Sequence, residues 1–195
     1  MRRGSSRPAA ALLAAALLAG CSSSLHSSSS GLKISAYVVH ANEQTGYRVL
    51  SGPRVAGTLG AYLSSDLNAA HDAVRLQSEG FRQAASVSTG SGSGSGGSAA
   101  IELASAAAAS REQLYSFHNA VKRAARVRTV LFRVVGIPGS TGVLALGSPH
   151  ASANVYFREG RCELWIGDTN GDEPVVAAAQ SIWAATHDKP GVCVS

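Results

Sequence analysis

The sequence predicts an α+β domain, a largely antiparallel sheet with about three helices packed on it. Short β-prone runs recur in pairs around Gly- and Asn-containing turns, as in hairpins. The helical stretches stand between those pairs and do not alternate strand by strand, as a parallel sheet would require. Composition agrees: 45% of the 195 residues are hydrophobic but only 6% aromatic, so the chain can bury one core built chiefly from Ala, Val and Leu.

The elements follow in order. Residues 34–39 and 47–50 are β-prone runs around a turn at 42–46, and Ser51-Gly52-Pro53 breaks the chain. A first helix begins at Ser64 or Ser65, either of which can cap it. Leu63, Leu67, Ala70 and Val74 recur at helical spacings, and Gly80 supplies the stop. Residues 81–89 and 100–105 read as two strands of a hairpin, joined by a flexible Gly/Ser loop at 90–98. A second helix runs through about 107–125, with Leu114, Phe117, Val121 and Ala124 on one stripe. Its Lys122, Arg123 and Arg126 sit at the carboxyl end, where a helix favours cations.

The remainder is β-rich. Residues 129–135 form a strand, Gly136-Ile137-Pro138-Gly139 a turn, and residues 142–146 a further strand. Residues 153–157 and 162–166 make a hairpin around Arg158-Glu159-Gly160-Arg161. Alternation places Cys162, Leu164 and Ile166 on one face and Glu163 and Trp165 on the other. After a turn at 168–172, Pro174 stands early in a last helix whose apolar positions include Val175, Ala178, Ala179, Ile182 and Trp183. It ends before Pro190.

The amino terminus is organised differently. Residues 1–8 carry Arg2, Arg3 and Arg7, and residues 9–19 are all Ala or Leu, a run too short to span a membrane as a helix. This is the pattern of a secretory leader. It ends in Leu18-Ala19-Gly20-Cys21, which resembles the lipobox of bacterial lipoproteins. The resemblance implies that the Cys21 thiol receives a diacylglyceryl group, that residues 1–20 are removed as a signal peptide, and that the new amino group is open to acylation. The competing reading is an ordinary leader with a cysteine near its cut; the four lipobox positions and both upstream regions favour lipidation. Two or three acyl chains hold a protein stably on a membrane, whereas one does so marginally. The membrane is therefore the expected partner, reached from its extracytoplasmic face. Residues 21–32 become the lipidated cysteine and a Ser-rich tether, with His26 solvated within it, and residues 33–195 form a single domain.

Losing the leader changes two counts. It takes away three arginines, so a net charge of +5 falls to that of fourteen basic against twelve acidic residues. Such a near-neutral domain lacks the electrostatic footprint of nucleic-acid binding. It also leaves two cysteines in an exported chain, and Cys162 and Cys193 are expected to pair as a disulfide. A redox pair would call for Cys-x-x-Cys spacing, and a metal site for more ligands than two distant thiolates.

Residues 129–168 are similar to exported and lipid-anchored proteins of high-GC bacteria. The likeness rests on Phe132-x-Val134-x-Gly136-Ile137-Pro138-Gly139, then Asn154-Val155-Tyr156-Phe157-x-x-Gly160, then Trp165-Ile166-Gly167. Some small lipoproteins of that kind have an α+β sandwich similar to the PsbP fold, which is what the resemblance implies here. These are turn and strand residues and imply no activity.

No motif assigns chemistry. Gly92-x-Gly94-x-x-Gly97 satisfies the dinucleotide pattern formally but lies between two strands with no helix opening at its end. Asp168-x-Asn170-x-Asp172 resembles half a calcium loop, yet the sixth and twelfth positions are Glu173 and Ala179; a turn at Asn170-Gly171 and a helix cap at Asp172 explain it. The histidines at 26, 40, 71, 118, 150 and 187 show no metal spacing, and His71-Asp72 and His187-Asp188 read as surface pairs. Gly147-Ser148-Pro149-His150 is a loop with no nucleophile elbow. No cofactor or metal is expected. The basic cluster Lys122, Arg123, Arg126 and Arg128 is either a solvated helix end or a contact for anionic headgroups or cell-wall polymers. Trp165 is either covered by a helix or exposed as a binding aromatic. The leading expectation is a non-catalytic binding or interaction domain of the cell envelope, its partner a protein or an envelope component and its oligomeric state open. A hydrolase would need a serine, a histidine and an acid converging in one cleft, and a carrier of small hydrophobic ligands an enclosed apolar cavity.

Overall fold

The computed structural model describes residues 31–40, 47–65, 69–91, 94–147 and 151–194. Residues 1–20, expected to be a leader, Cys21, His26, the expected turn at 42–46, Leu67 and residues Ser148, Pro149 and His150 lie outside the described residues. The strands are β1 (Arg48–Ala56), β2 (Gln83–Ser91), β3 (Gly94–Glu102), β4 (Arg128–Phe132), β5 (Thr141–Leu146), β6 (Ala151–Glu159) and β7 (Cys162–Asp168). The helices are α1 (Leu59–Tyr62), α2 (Ala69–Ser78), α3 (Ala106–Ala124) and α4 (Glu173–Thr186). The strands form one open sheet in the order β1-β2-β3-β7-β6-β5-β4, every neighbouring pair antiparallel. The chain is thus α+β with a largely antiparallel sheet, and it has four helices where about three were expected.

Several elements depart from expectation for physical reasons. Residues 34–39 have strand composition, but Ile34–Tyr37 is a 3-10 turn and Val38 and Val39 are buried beyond it. Val39 N donates to Ser98 Oγ (2.8 Å), so this segment packs across the sheet and does not join it. β1 runs through Ser51-Gly52-Pro53, which does not break it: β1 is an edge strand, its pairing with β2 slips on both sides of Ser51, and an edge tolerates proline. An additional short helix comes first, where Thr58 caps α1 by accepting from Ala61 N; the expected caps Ser64 and Ser65 lie in a 3-10 turn at Leu63–Ser65, and the expected helix is α2, beginning at Ala69. Gly80 ends α2 in the left-handed region, as predicted.

The largest correction concerns the Gly/Ser tract. It is not a loop through 90–98, since β2 continues to Ser91 and β3 begins at Gly94. Glycine is needed there for close approach, because a Cβ at Gly96 would collide with the Gly167 carbonyl oxygen of β7, and one at Gly97 would come within 2.9 Å of Val87 O. Replacing Gly96 with Ala should therefore cost about 1–3 kcal/mol through forced strand separation. Urea unfolding of the variant measures this.

The two faces of the sheet are covered differently. On one, α4 and the 3-10 turn bury a continuous core of Tyr37, Val155, Phe157, Leu164, Ile166, Val175 and Ile182. Cys162 and Cys193 lie in this core and form a disulfide with Cα atoms 5.2 Å apart, which ties the segment after α4 to the start of β7. The entry of the domain is clipped to the same place, with Leu32 N donating to Pro190 O (2.8 Å) and Val192 N to Leu32 O (3.0 Å). On the other face, two separate clusters form. Leu63, Leu76, Ile101, Leu103 and Ala108 make one, and Ala120, Ala124, Val143 and Tyr156 the other.

The pattern of α3 explains the separation. Ser105 caps it by accepting from Ala108 N (3.1 Å), and its buried positions run Ala108, Ala109, Glu112, Gln113, Ala120, Ala124. The inward face is apolar at both ends and polar in the middle. Leu114, expected on the buried stripe, is instead 48% exposed.

Candidate functional site: a cleft with a buried acid

Between the two clusters of the second face the sheet is left open, and a cleft of about 550 Å³ occupies the gap. That volume lies within the range of small-molecule sites. α2 supplies His71, Asp72 and Arg75, and α3 supplies Glu112, Tyr115, Ser116, Asn119, Lys122 and Arg123. The floor is Ile101 of β3, Tyr156 of β6, and Glu163 and Trp165 of β7. Cross-strand pairing brings the floor together, with Ile101 opposite Glu163 and both Ala99 and Tyr156 opposite Trp165. The alternation read from the sequence, which put Glu163 and Trp165 on the face away from Leu164, is the geometry that aims them here.

Arg75 organises one wall. Its guanidinium pairs with Glu112, donates through Nη2 to Asp72 Oδ1 (2.7 Å), and lies 4.0 Å from the centre of the Tyr115 ring. Ser116 Oγ donates to Glu112 Oε1 (3.2 Å). Trp165 is half-buried and fixed in orientation: its Nε1 donates to Asn154 Oδ1 (2.9 Å), and the indole lies against Gly167, where a Cβ would come within 2.7 Å. Gln113 anchors the middle of α3, donating to Gly139 O (2.8 Å) and Tyr156 O (3.2 Å). Burial raises the Tyr156 hydroxyl well above the usual tyrosine range, so it is a neutral donor and acceptor on the floor.

Glu163 is the unusual residue. The other buried acids each accept a hydrogen bond: Glu102 from Gln83 Nε2 (2.6 Å), Glu112 from Ser116, Glu159 from Thr186 Oγ1 (2.7 Å), and Asp168 from Asn170 N (2.6 Å). Glu163 is 2% exposed and its Oε1 has no hydrogen-bond partner. Desolvation pushes its carboxyl up to about 8, and Arg75, already committed to Asp72 and Glu112, lowers it by less. At neutral pH the floor thus presents a neutral carboxylic acid, able to donate as well as accept. An ionisable group so perturbed, inside a cleft, is a recognised mark of a functional site.

The remaining sequence candidates are dispersed. Gly94 and Gly97 of the dinucleotide-like run are strand residues of β3. Asn170 is held by Asp168, but Asp172 makes no capping hydrogen bond to α4. No group of three or more metal-type ligands occurs among the described residues. His187 stacks on Trp183 (3.9 Å) on the far face, while His71 is a surface residue, as expected, at the rim of the cleft. The cleft does hold a serine, a histidine and an acid, but they do not form a relay. Ser116 is hydrogen-bonded to Glu112, and His71 Nδ1 faces Tyr115 Oη (3.3 Å). Of the basic cluster, Lys122 and Arg123 line the cleft and Arg126 and Arg128 stand exposed beyond it. The signal that sequence reading missed is the polar stripe Glu112, Ser116, Asn119, Arg123, spaced by four, three and four along α3.

Fold and site together define a disulfide-bridged α+β domain with a polar, aromatic-lined cleft on one face of its sheet. No family model matches the chain, and no curated protein matches it. Among solved structures it is similar to the extracellular domain of PknH from Mycobacterium tuberculosis, with a TM-score of 0.47 and 10% identity, covering 78% of this chain and 94% of that chain.

Proposed function

We propose that this chain is a bacterial lipoprotein, anchored through lipid on Cys21 to the extracytoplasmic face of the membrane, whose domain binds a small polar ligand in the cleft without transforming it. The observation that carries the binding reading is Glu163: a buried acid with an unpartnered oxygen, facing a ligand-sized cleft. Each of the other four accepts a hydrogen bond, and Glu159, which also keeps an unpartnered Oε1, does not line the cleft. The lining is dominated by charged, hydroxyl and amide groups with Tyr and Trp, which suits a polar ligand and not the lipid tail that a hydrophobic carrier would hold. The Ser–His contact that a hydrolase requires is missing from it. The lipobox-like Leu18-Ala19-Gly20-Cys21 supports anchoring, and the disulfide supports an oxidising, extracytoplasmic compartment.

Native mass spectrometry of the protein extracted from its own membrane in mild detergent tests both parts. The expected spectrum shows a chain beginning at a lipid-modified Cys21 and, in addition, a dissociable small-molecule adduct. Trp165→Ala should lose the adduct while keeping the lipid. An unmodified residue 21 would remove the anchor, and identical spectra for the two proteins would remove the cleft.

A further inference from the structure

The charge of the domain is distributed unevenly across its sheet. None of residues 113–158 is acidic, yet this stretch carries Lys122, Arg123, Arg126, Arg128, Arg133 and Arg158. It folds as the end of α3, the edge strand β4, and the neighbouring β5 and β6. Arg126, Arg128 and Arg133 are exposed and form no ion pair among the described residues.

Between these arginines the same edge exposes aliphatic side chains. Val127, Val130, Leu131 and Val135 stand out of the protein, Val135 with 84% of its surface free, and Leu146 of β5 is exposed opposite Arg128. Half of the large exposed apolar side chains among the described residues are on this one edge. Charge alone has a simpler explanation, since basic residues on an edge strand discourage edge-to-edge pairing. That explanation leaves the aliphatics unaccounted for, because they favour such pairing. Guanidinium groups interleaved with exposed Val and Leu instead match a bilayer interface, with phosphates for the first and the acyl boundary for the second.

We propose that the β4 edge docks the domain onto an anionic phospholipid bilayer, with Arg126, Arg128 and Arg133 on lipid phosphates and Val130, Leu131 and Val135 entering the headgroup layer. The inference rests on the Cys21 anchor only for proximity: residues 22–32, even fully extended, span no more than about 40 Å, so an anchored domain never leaves the neighbourhood of the headgroups.

Hydrogen exchange on the protein extracted from its own membrane tests this in vesicles of phosphatidylcholine, with and without phosphatidylglycerol. Exchange of amides 126–135 is expected to slow roughly tenfold or more in the phosphatidylglycerol vesicles and to recover in high salt. Arg126→Glu/Arg128→Glu/Arg133→Glu should abolish the protection while leaving flotation with both vesicles intact. Leu131→Ser, which changes no charge, should weaken it. Equal protection on both vesicle types would overturn the proposal, as would protection that rises with protein concentration in detergent alone, the sign of two copies pairing through β4. If the protein fails to float with phosphatidylcholine but floats with phosphatidylglycerol, the anchor fails and the docking edge stands. If it floats with neither, both fall.

Discussion

Replacing Cys162 and Cys193 together with alanine is expected to lower the unfolding free energy by about 3–4 kcal/mol, the value for releasing a 31-residue loop in the chain-entropy model. A domain of this kind has only about 5–15 kcal/mol in total, so the loss is a large part of the whole. The structure adds a local consequence. Cys193 O accepts from Arg161 N (3.0 Å), Val192 O accepts from Arg161 Nε (2.8 Å), and the entry segment hangs on Pro190 and Val192. The bridge therefore holds both ends of the domain against the β6–β7 hairpin. Urea unfolding should show the global loss, and hydrogen exchange should show residues 32–39 opening well before the sheet. Wild-type protein reduced with dithiothreitol should reproduce both results. A double variant within 1 kcal/mol of wild type, or one whose entry segment stays as protected as β7, would show that the core around α4 holds these segments without the bridge.

The β5–β7 region and the disulfide were legible in the sequence because their signals are local or countable. Period-two alternation at Cys162, Leu164 and Ile166 identifies a buried face, Gly160 with a positive φ marks the hairpin, and setting Cys21 aside for the lipid that the lipobox resemblance implies leaves an even pair of thiols. The 3-10 turn at Ile34–Tyr37 was not legible. Its residues favour a strand, and what overrides them is tertiary: burial of Ile34, Tyr37 and Val38 beneath α4 and across β2 and β3. The Gly/Ser tract misled in the opposite direction. Its composition is that of a linker, and only the nearness of Gly167 reveals that small residues are there to let strands meet.

The cleft was half legible. Alternation aimed Glu163 and Trp165 at the correct face, but whether that face is solvent or interior depends on α2 and α3, which are remote in sequence. The polar middle of α3 lay in view, yet an apolar stripe is what helix periodicity is usually searched for, and that search selected Leu114, Phe117, Val121 and Ala124. The true inward face mixes alanines with Glu112 and Gln113. A helix that buries polar side chains at its centre leaves room above the sheet, and the site is that room.

The second large effect follows from the acid in it. Below pH 4.5 Glu163 is protonated in both folded and unfolded chains and contributes no pH dependence. Between 4.5 and about 8 the unfolded chain gives up the proton and the folded chain keeps it. The native state then binds more protons, so stability falls as pH rises through this window and levels off above it. At about 1.4 kcal/mol per unit, the loss reaches at most about 5 kcal/mol. Glu163→Gln keeps the shape and cannot ionise, so it should match wild type at pH 4 and exceed it in stability by several kcal/mol at pH 9. Glu159, also held above its usual range by burial, slopes the same way but is common to both proteins and cancels in the comparison. Urea titrations at the two pH values, with the disulfide intact, decide the matter. A difference that is the same at pH 4 and pH 9 would mean that Glu163 ionises freely in the folded protein. The cleft would then carry a negative charge on its floor at neutral pH, beside the Arg75, Lys122 and Arg123 that also line it. A gap that opens between pH 4.5 and about 8 means that the floor is a proton donor in the folded state at neutral pH. Binding at the proposed site should then weaken as pH passes 8, because the acid proposed to meet the ligand loses the hydrogen it would share.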